Sequence, residues 1–411
     1  MIKRWKFMAA AVMALGLAAG IAGGAYAEAW KEGGDQITGT YVSGKQQGPM
    51  RVTFEEDGSV VVQFVCDNKA EGASVQYGGE NGEYSVAMVS GNKLNGMYLA
   101  IQKNGTQKAT FWEDGGLKKN IALKSWTTSD NTHYYAREKT DIEAGKAIAV
   151  YTSGNIYMGD FKNGRRDGWG TYFWKDAEYC YMGEWKDGLK DGVGYMIYPG
   201  DSDYLYKSAV WTNDKCQDVV FYYTKDDDIH LVPNKDSKEE GPAAVIGADG
   251  TIRLLEYKDG KVSNTRPDIY KDKDGNQYIG TDGKKGYGLK VTKTAGIEIG
   301  NFKNGNLDGQ GFAYSGRADL KRDEGTYKEG KLMEGVSIWP NGTYYKGTYD
   351  YSGTYMDNLL EPFGKGFLRT FQYSMEGTFS GYRRLDTGIY TIFMKDGSSV
   401  EELFIDGKLK K

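Results

Sequence analysis

Apolar and polar residues alternate in short runs along this chain, and most runs end at a glycine. In the run YMGDF, the rings of Tyr157 and Phe161 lie on the same side of the chain as Gly159. Met158 and Asp160 fall on the other side. A period of two residues is that of a β-strand, whose successive side chains point to opposite faces of a sheet. Short runs bounded by turn residues therefore predict many strands and require no helix.

The glycines of these runs recur at fixed spacing. From the first glycine of a unit, an aromatic residue follows at +2, a turn glycine at +5 and a Gly-x-Gly pair at +9 and +11. Tyr157 and Tyr181 stand two residues before the origin in two units. Because looser copies lie towards both ends, the sequence predicts an array in which each unit buries its apolar face against its neighbours. Three copies keep every offset: Gly159, Phe161, Gly164, Gly168 and Gly170; Gly183, Trp185, Gly188, Gly192 and Gly194; and Gly300, Phe302, Gly305, Gly309 and Gly311.

Each unit predicts one β-hairpin. The dipeptide Asn163-Gly164 tolerates positive φ at both central positions of a tight two-residue turn. The returning strand carries Gly168 and Gly170, which leave its backbone bare, and we expect a neighbouring aromatic ring such as that of Tyr181 to cover it. Repeated hairpins of this kind predict an all-β fold, a long antiparallel meander.

The pattern Y-x-G-x-[F/W]-x-x-G-x-x-x-G-x-G resembles the MORN repeat. It is present at 157–170 and 181–194, and at 298–311 with Glu298 in the tyrosine position. Pieces such as YKDGKV at 257–262 are similar to the related repeats of bacterial antitoxin-type proteins. The resemblance implies tandem β-hairpins in an elongated, curved, single-layer antiparallel sheet that serves as a scaffold or binding surface. It also implies that the repeats themselves are not an enzyme, since enzymes of the family carry a separate catalytic domain.

Composition shifts along the chain suggest its organisation. A basic start, an apolar run and the site Ala25-Tyr26-Ala27 predict a cleaved signal peptide, and hence an exported protein that is periplasmic or secreted. A charged stretch with two prolines, LVPNKDSKEEGP, is typical of a linker. The predicted segments are a signal peptide at 1–27, an N-terminal repeat lobe at 28–230 with its clearest units at 157–198, a linker at 231–242 and a C-terminal repeat lobe at 243–411.

Net charge limits the partners that we expect. The chain carries a net charge of −4, and removal of Lys3, Arg4 and Lys6 with the signal peptide leaves −7. An acidic protein is poorly suited to nucleic acid or to strong binding of anionic membranes. The expected partner is therefore an unidentified envelope protein or a polysaccharide, with self-association through sheet edges as a further alternative.

Candidate catalytic and metal-binding residues are sparse. His133 and His230 have no partner at ligand spacing, so neither is expected to bind metal or act as a base. DKDGN at 272–276 resembles part of a calcium loop, but Gly275 falls where the repeat requires a turn, and Gly283 stands where a closing glutamate is needed. We expect no catalytic residue, metal or cofactor, although carboxylate pairs suited to glycoside hydrolysis stay open. Whether Cys66, Cys180 or Cys216 form a disulfide also stays open.

Two non-enzymatic functions remain. The leading hypothesis is an exported scaffold that mediates protein–protein interaction at the cell envelope. The alternative is a carbohydrate or cell-wall binding module whose exposed tyrosines and tryptophans stack on sugar rings. Burial of the repeat aromatics between strands would favour the scaffold, whereas open rows of rings would favour sugar binding.

Overall fold

The computed structural model describes residues 26–32, 34–79, 82–216, 218–235, 238–351, 363–379, 385–394 and 398–410. The predicted signal peptide, apart from its last two residues, lies outside them. These residues divide into two compact units. The first is formed mainly by residues up to Cys216 together with Phe221–Asp228. The second is formed mainly by Gln217–Val220, Ile229–Met394 and Ser399–Lys411.

The first unit begins with a nine-stranded sheet in which each strand pairs antiparallel with the next one in the chain. One turn of 3-10 helix, Lys139–Ile142, follows later in the unit. The strands of this first sheet are β1 Tyr26–Glu32, β2 Asp35–Val42, β3 Lys45–Thr53, β4 Ser59–Cys66, β5 Lys69–Gly78, β6 Tyr84–Ser90, β7 Lys93–Ile101, β8 Gln107–Glu113 and β9 Gly116–Leu117.

A second sheet contains the two clearest repeats, and its strands also pair antiparallel in chain order. Short β18 is a side branch that pairs with β17. The strands are β10 Lys124–Thr127, β11 His133–Ala136, β12 Ala144–Val150, β13 Ile156–Lys162, β14 Arg165–Trp174, β15 Tyr179–Lys186, β16 Leu189–Ile197, β17 Tyr204–Thr212, β18 Lys215–Cys216 and β19 Val219–Thr224.

The second unit holds the remaining strands. Five of them lie between residues 229 and 264, and the others form a third sheet that again follows chain order. The five are β20 Ile229–Lys235, β21 Lys238–Glu239, β22 Gly241–Ile246, β23 Ile252–Lys258 and β24 Lys261–Asn264. The third sheet comprises β25 Tyr270–Lys271, β26 Gln277–Ile279, β27 Lys285–Val291, β28 Ile297–Lys303, β29 Asn306–Tyr314, β30 Arg322–Lys328, β31 Lys331–Ile338, β32 Tyr344–Tyr349, β33 Phe363–Arg369, β34 Tyr373–Phe379, β35 Leu385–Phe393, β36 Ser399–Ile405 and β37 Lys408–Lys410.

The repeat hairpins close as the sequence predicts. Asn163 and Gly164, between β13 and β14, have φ of +49° and +72°. Asp187 and Gly188, between β15 and β16, have φ of +49° and +87°. Both pairs are two-residue turns with positive φ at each position, which matches the twist of the flanking strands. The prediction of tandem β-hairpins in open antiparallel sheets is confirmed.

In the first unit the core lies between the first and second sheets. The ring of Phe64 on β4 meets Tyr195 on β16 edge to face at 5.0 Å, and Tyr77 on β5 stacks on Phe173 of β14, also at 5.0 Å. Because the first sheet covers this face, the second sheet contributes one layer of a two-layer packing. Its opposite face carries the tyrosines and glycines of the repeats.

The stretch predicted as a linker at 231–242 consists mostly of strands. It holds most of β20, all of β21 and the start of β22. Leu231 and Val232 are 0% and 2% exposed, and Pro233 is also buried. The carbonyl oxygen of Pro233 accepts a hydrogen bond from Glu240 N at 3.0 Å, which closes the excursion through β21. Charge and proline content suggested a linker, but the apolar residues at its start are core residues, so that prediction is corrected.

Candidate functional site

The candidate site is the face of the second sheet that carries the repeat glycines. Paired positions share a face of a sheet, and Gly159, Gly170, Gly183 and Gly194 pair in that order across β13 to β16. The row is bare backbone along four neighbouring strands. We call this surface the glycine face, and define it by Tyr157, Gly159, Phe161, Arg166, Gly170, Tyr172, Tyr181, Gly183, Trp185, Lys190, Gly194 and Trp211.

Tyrosine rings cover the glycine row. A Cβ atom placed on Gly170 would overlap the ring of Tyr157, and one placed on Gly194 would overlap the ring of Tyr181. Tyr157 and Tyr181 are both 0% exposed. The expectation that a ring lies over bare glycine backbone therefore holds, but each ring covers the glycines of its own hairpin. The expected pairing of Tyr181 with Gly170 is wrong.

The tyrosine hydroxyl ties the ring to the strand that bears it. Tyr157 OH donates to the carbonyl oxygen of Asp160 at 2.9 Å, and Tyr181 OH donates to that of Glu184 at 3.1 Å. Burial raises the pKa of both hydroxyls well above 10, with smaller contributions from Asp160 and Glu184 respectively. These phenols therefore stay protonated near neutral pH and act as hydrogen-bond donors, not as catalytic bases.

The +9 glycines sit at β-bulges. Gly168 and Gly192 have φ of +103° and +109°, a region that favours glycine. The acidic side chain of the partner strand folds over each bulge: Asp160 Oδ2 accepts a hydrogen bond from Trp169 N at 2.9 Å, and Glu184 Oε2 accepts one from Val193 N at 2.7 Å. These carboxylates satisfy amide groups that the bulge removes from the ladder.

A cation at the +7 position lies on the aromatic rings of the glycine face. The Arg166 guanidinium carbon is 4.3 Å from the Trp185 ring centroid and 5.0 Å from that of Tyr172. Lys190 Nζ is 4.5 Å from the Trp211 ring centroid and 5.7 Å from that of Tyr181. These are cation–π distances. The rings thus hold one cation per repeat at fixed positions.

The two cations are only partly screened from solvent. The side chain of Lys190 is 15% exposed, and its Nζ lies 3.7 Å from Asp214 Oδ1. Burial lowers the pKa of Lys190, whereas the charge of Asp214 acts in the opposite direction. Nη2 of Arg166 donates to the carbonyl oxygen of Gly188 at 2.5 Å, which fixes the guanidinium over the neighbouring hairpin. Positive charge is therefore preorganised on a surface of aromatic rings.

The third full copy lies in the third sheet and departs from this arrangement. Glu298 replaces the tyrosine and binds Lys290 Nζ at 3.1 Å. The +7 position is Leu307, whose methyl group would lie 3.2 Å from a Cβ on Gly300. Leucine here fills the space above the glycines that a tyrosine ring fills in the other two copies. The predicted site residues therefore fall into two sets, one on each sheet, and only the copies of the first set have a cation at position +7.

The candidate calcium loop, His133 and the three cysteines have ordinary structural contacts. The carboxylate of Asp272 accepts hydrogen bonds from Asp274 N and Asn276 N, both at 2.9 Å, so it shapes the predicted turn. His133 Nδ1 lies 2.7 Å from Thr127 Oγ1. The three cysteines form no disulfide, and burial raises the pKa of the Cys180 thiol.

The described residues contain neither a metal-binding cluster nor a membrane-spanning helix. No group of three or more His, Cys, Asp or Glu side chains is placed to hold a metal ion. The described part of the chain also has no helix long and apolar enough to cross a membrane.

The comparison with protein families identifies the same units as the spacing. The MORN repeat model matches residues 157–177, 181–202, 299–315 and 324–344. These four matches support a MORN repeat protein, a class of generally non-catalytic repeat modules. The fourth match contains Gly325, Tyr327 and Gly330, which the spacing alone places among the looser copies.

Similarity to individual proteins is weak. No curated protein sequence matches the chain. Among solved structures, the CPAP G-box domain is similar at 10% identity and a TM-score of 0.24, over 56% of this chain and 99% of that one. The TCP domain of SAS-4 from Drosophila melanogaster is similar at 12% identity and a TM-score of 0.22, over 43% and 88%. The TCP10 domain of Danio rerio CPAP is similar at 15% identity and a TM-score of 0.16, over 57% and 96%. Scores this low carry no argument about this chain.

Proposed function

We propose that the protein is an exported, non-enzymatic repeat scaffold that binds another protein at the cell envelope through the glycine face. The observation that carries the proposal is the pair of cations, Arg166 and Lys190, held on aromatic rings at a partly exposed surface. Fixed cations beside rings suit the acidic and aromatic side chains of a protein partner, because electrostatic complementarity gives specificity and on-rate. MORN repeats in four segments agree with a scaffold.

Burial of the repeat rings counts against the carbohydrate alternative. Phe161 and Trp185 are 3% and 4% exposed, and the two repeat tyrosines are fully buried. A sugar ring stacks on an accessible aromatic face, which these residues do not offer. Their rings instead fill the space above the glycine row and support the cations.

Quantitative capture tests the glycine face. Tagged mature protein is incubated with its own envelope extract, and the recovered partner is identified by mass spectrometry. The double variant Arg166→Gln and Lys190→Gln should lower recovery about tenfold, in the range expected for loss of charged contacts at an interface. Arg165→Gln with Lys186→Gln removes the same charge from exposed neighbours of the face and should leave recovery unchanged. Equal recovery by both double variants contradicts the proposal, as does retention by wall polysaccharide in place of protein.

Export rests on the basic start, the apolar run and the Ala25-Tyr26-Ala27 site of the sequence. Intact-mass measurement of the protein from a native envelope fraction is expected to give a chain that begins at Glu28. A mass that still includes residues 1–27 would contradict both cleavage and the proposed location.

A further inference from the structure

A groove of about 840 Å³ lies in the second unit, where β24 ends one sheet and β25 begins the third. It is lined mainly by β23 and by the connection between β24 and β25, and β24 itself contributes Val262. Gln277 and Val291 contribute from the neighbouring strands β26 and β27. Strands therefore flank the groove on both sides.

The strands before and after the connection that lines the groove, β24 and β25, are both sheet edges. Within the described residues β24 pairs only with β23, and β25 pairs only with β26. β24 spans four residues, Lys261–Asn264, of which the first three are exposed. An edge strand presents backbone N–H and C=O groups in a row, and such a row is a template for pairing with another strand.

The lining of the groove combines apolar surface with basic side chains. Val262 on β24 and Ile269 after it are 45% and 47% exposed, far more than is usual for large apolar residues in a core. The ionisable side chains that line the groove are His230, Arg253 and Arg266, and no lining residue is acidic. The lining is thus apolar with two exposed arginine side chains, of which Arg253 also interacts with the carboxylate of Asp249.

We propose that this groove binds an extended segment of another protein, which adds to β24 as a further strand. Side chains of an added strand point alternately into and away from the groove, so the apolar lining selects apolar residues at alternate positions. Acidic residues between or beside them complement Arg266. The occupant is therefore a strand-forming segment with alternating apolar and acidic side chains. This site is separate from the glycine face, and its function does not depend on that of the glycine face.

Binding of a synthetic peptide tests this inference. The probe is a fluorescein-labelled heptapeptide of alternating valine and glutamate, titrated with the mature protein and followed by anisotropy. We expect the valine–glutamate peptide to bind saturably. A valine–lysine heptapeptide, and a copy of the probe with N-methylated backbone amides, should each bind at least about tenfold more weakly. The first comparison tests charge, and the second tests backbone pairing.

Matched variants locate the peptide on the protein. Arg266→Gln and Ile269→Ser should each weaken binding about tenfold, since one removes a lining charge and the other exposed apolar surface. Lys258→Gln, an exposed cation of β23 outside the lining, should leave binding unchanged, and so should the glycine-face double variant. Thermal melts establish that the variants are folded.

Three outcomes overturn the inference. The first is equal binding of the glutamate and lysine peptides, and the second is binding that neither Arg266→Gln nor Ile269→Ser weakens. The third is concentration-dependent dimerisation in sedimentation experiments that the same two variants abolish, because a second copy of the chain would then occupy the groove. A failure of the glycine-face capture experiment leaves these measurements unaffected, so the two sites are tested independently.

Discussion

At the scale of single residues, one tyrosine does two tasks in each of the two clearest repeats. The ring of Tyr157 fills the space above Gly159 and Gly170, and its hydroxyl donates to the carbonyl oxygen of Asp160. Tyr345 repeats the arrangement in the third sheet, where its hydroxyl donates to Thr348 O at 2.8 Å beside the paired Gly347 and Gly366. Phenylalanine would supply the ring without the donor, and any side chain on the glycine would displace the ring.

A double-mutant cycle measures the contact between Tyr157 and Gly170. Tyr157→Ala should lower the free energy of unfolding by about 3–5 kcal/mol, as for other large buried side chains. Gly170→Val should cost about 1–3 kcal/mol by overpacking, because the valine methyl groups meet the ring. The double variant should cost less than the sum, since removal of the ring makes room for valine.

The matched cycle combines Gly170→Val with Tyr181→Ala. The ring of Tyr181 lies over Gly183 and Gly194 and not over Gly170. The interaction energy of the matched cycle should be clearly smaller than that of the Tyr157 cycle. Urea unfolding of the single and double variants gives both energies. Equal interaction energies in the two cycles would contradict the finding that Gly170 contacts the ring of Tyr157 and not that of Tyr181.

A second residue with a measurable signature is Glu324 on β30. It is 6% exposed, and its Oε1 has no hydrogen-bond partner in the described part of the chain. Burial raises the pKa of this carboxyl well above its ordinary value of 4.5, and the charge of Asp218 raises it further. Arg322 and the N–H of Val219 act in the opposite direction. Glu324 therefore holds its proton more tightly in the folded state than in the unfolded state.

This difference predicts how stability depends on pH. Below pH 4.5 the carboxyl is protonated in both states and imposes no ionisation cost. As pH rises through the ordinary pKa towards the raised folded one, the free energy of unfolding should fall. Glu324→Gln, which resembles the neutral acid, should unfold at higher urea than wild type at pH 8 and at the same urea at pH 4. Glu334→Gln, at an exposed position of β31, is the control, and an unchanged midpoint for Glu324→Gln at pH 8 would contradict the argument.

At the scale of the element, each clear repeat is a hairpin with a two-residue turn at one end and a bulge on its returning strand. The turn glycine Gly188 has φ of +87° and no atom within 4 Å of an added Cβ. The bulge glycine Gly192 has φ of +109°, and an added Cβ there would overlap the carboxylate of Glu184. A residue with a Cβ would be strained by the positive φ at either position, but only at Gly192 would it also clash with a neighbouring side chain.

Alanine at these two positions separates the two effects. Gly188→Ala should lower the free energy of unfolding by about 1 kcal/mol, through the positive φ alone. Gly192→Ala should cost more, because it also displaces Glu184 from the Val193 amide. In the variant Gly192→Ala with Glu184→Ala the clash with the carboxylate should disappear and only the contact with the Cβ of residue 184, at 2.9 Å, should remain, so the cost of the glycine change should fall towards that at Gly188. Equal costs for the two single variants in urea unfolding would contradict the assignment of Gly192 to a bulge held by Glu184.

The hairpins could be predicted from sequence because their signals are local. Asn163-Gly164 specifies a turn without reference to the rest of the chain, and alternation specifies the faces of each strand. The pairing of β13 with β14 shifts in register between Gly159 and Phe161, and the ring of Tyr157 lies over Gly159 and Gly170 of its own hairpin. Such a shift is not evident from spacing. The cations at +7 repeat in two copies as Arg166 and Lys190, so aligning the copies could have found them, but their contacts with rings on other strands could not be predicted.

The packing of two sheets in the first unit could have been predicted from the sequence of single strands, although not from the repeat pattern. Strand β4, SVVVQFVC, is almost continuously apolar, and seven of its eight residues are buried. A strand with apolar residues on both sides is typical of one covered on both faces. The glycine repeats, by contrast, are covered on one face by the first sheet and on the other by their own rings. Composition within single strands thus carries information about layers that the repeat pattern does not.

At the scale of the whole molecule, charge and its placement bear on what the protein binds. The chain without residues 1–27 has a net charge of −7. The two cations of the glycine face lie on aromatic rings, and Lys190 also faces Asp214. Such cations act over short distances on a partner that fits the face, whereas attraction to an anionic surface requires many accessible basic groups. We therefore expect selectivity for a shaped protein surface over a charged membrane.

Co-sedimentation with phosphatidylglycerol vesicles tests this expectation. The chain without residues 1–27 should stay in the supernatant at about 0.15 M salt, where charges more than about 8 Å apart are largely screened. A version with eight added C-terminal lysines should sediment, because each lysine near an anionic surface contributes about 1 kcal/mol, and it establishes that the assay detects electrostatic binding. If the unmodified protein sediments and the double variant Arg166→Gln and Lys190→Gln does not, the glycine face binds lipid. Sedimentation that the double variant leaves intact would place lipid binding elsewhere on the molecule, and either result would contradict the prediction.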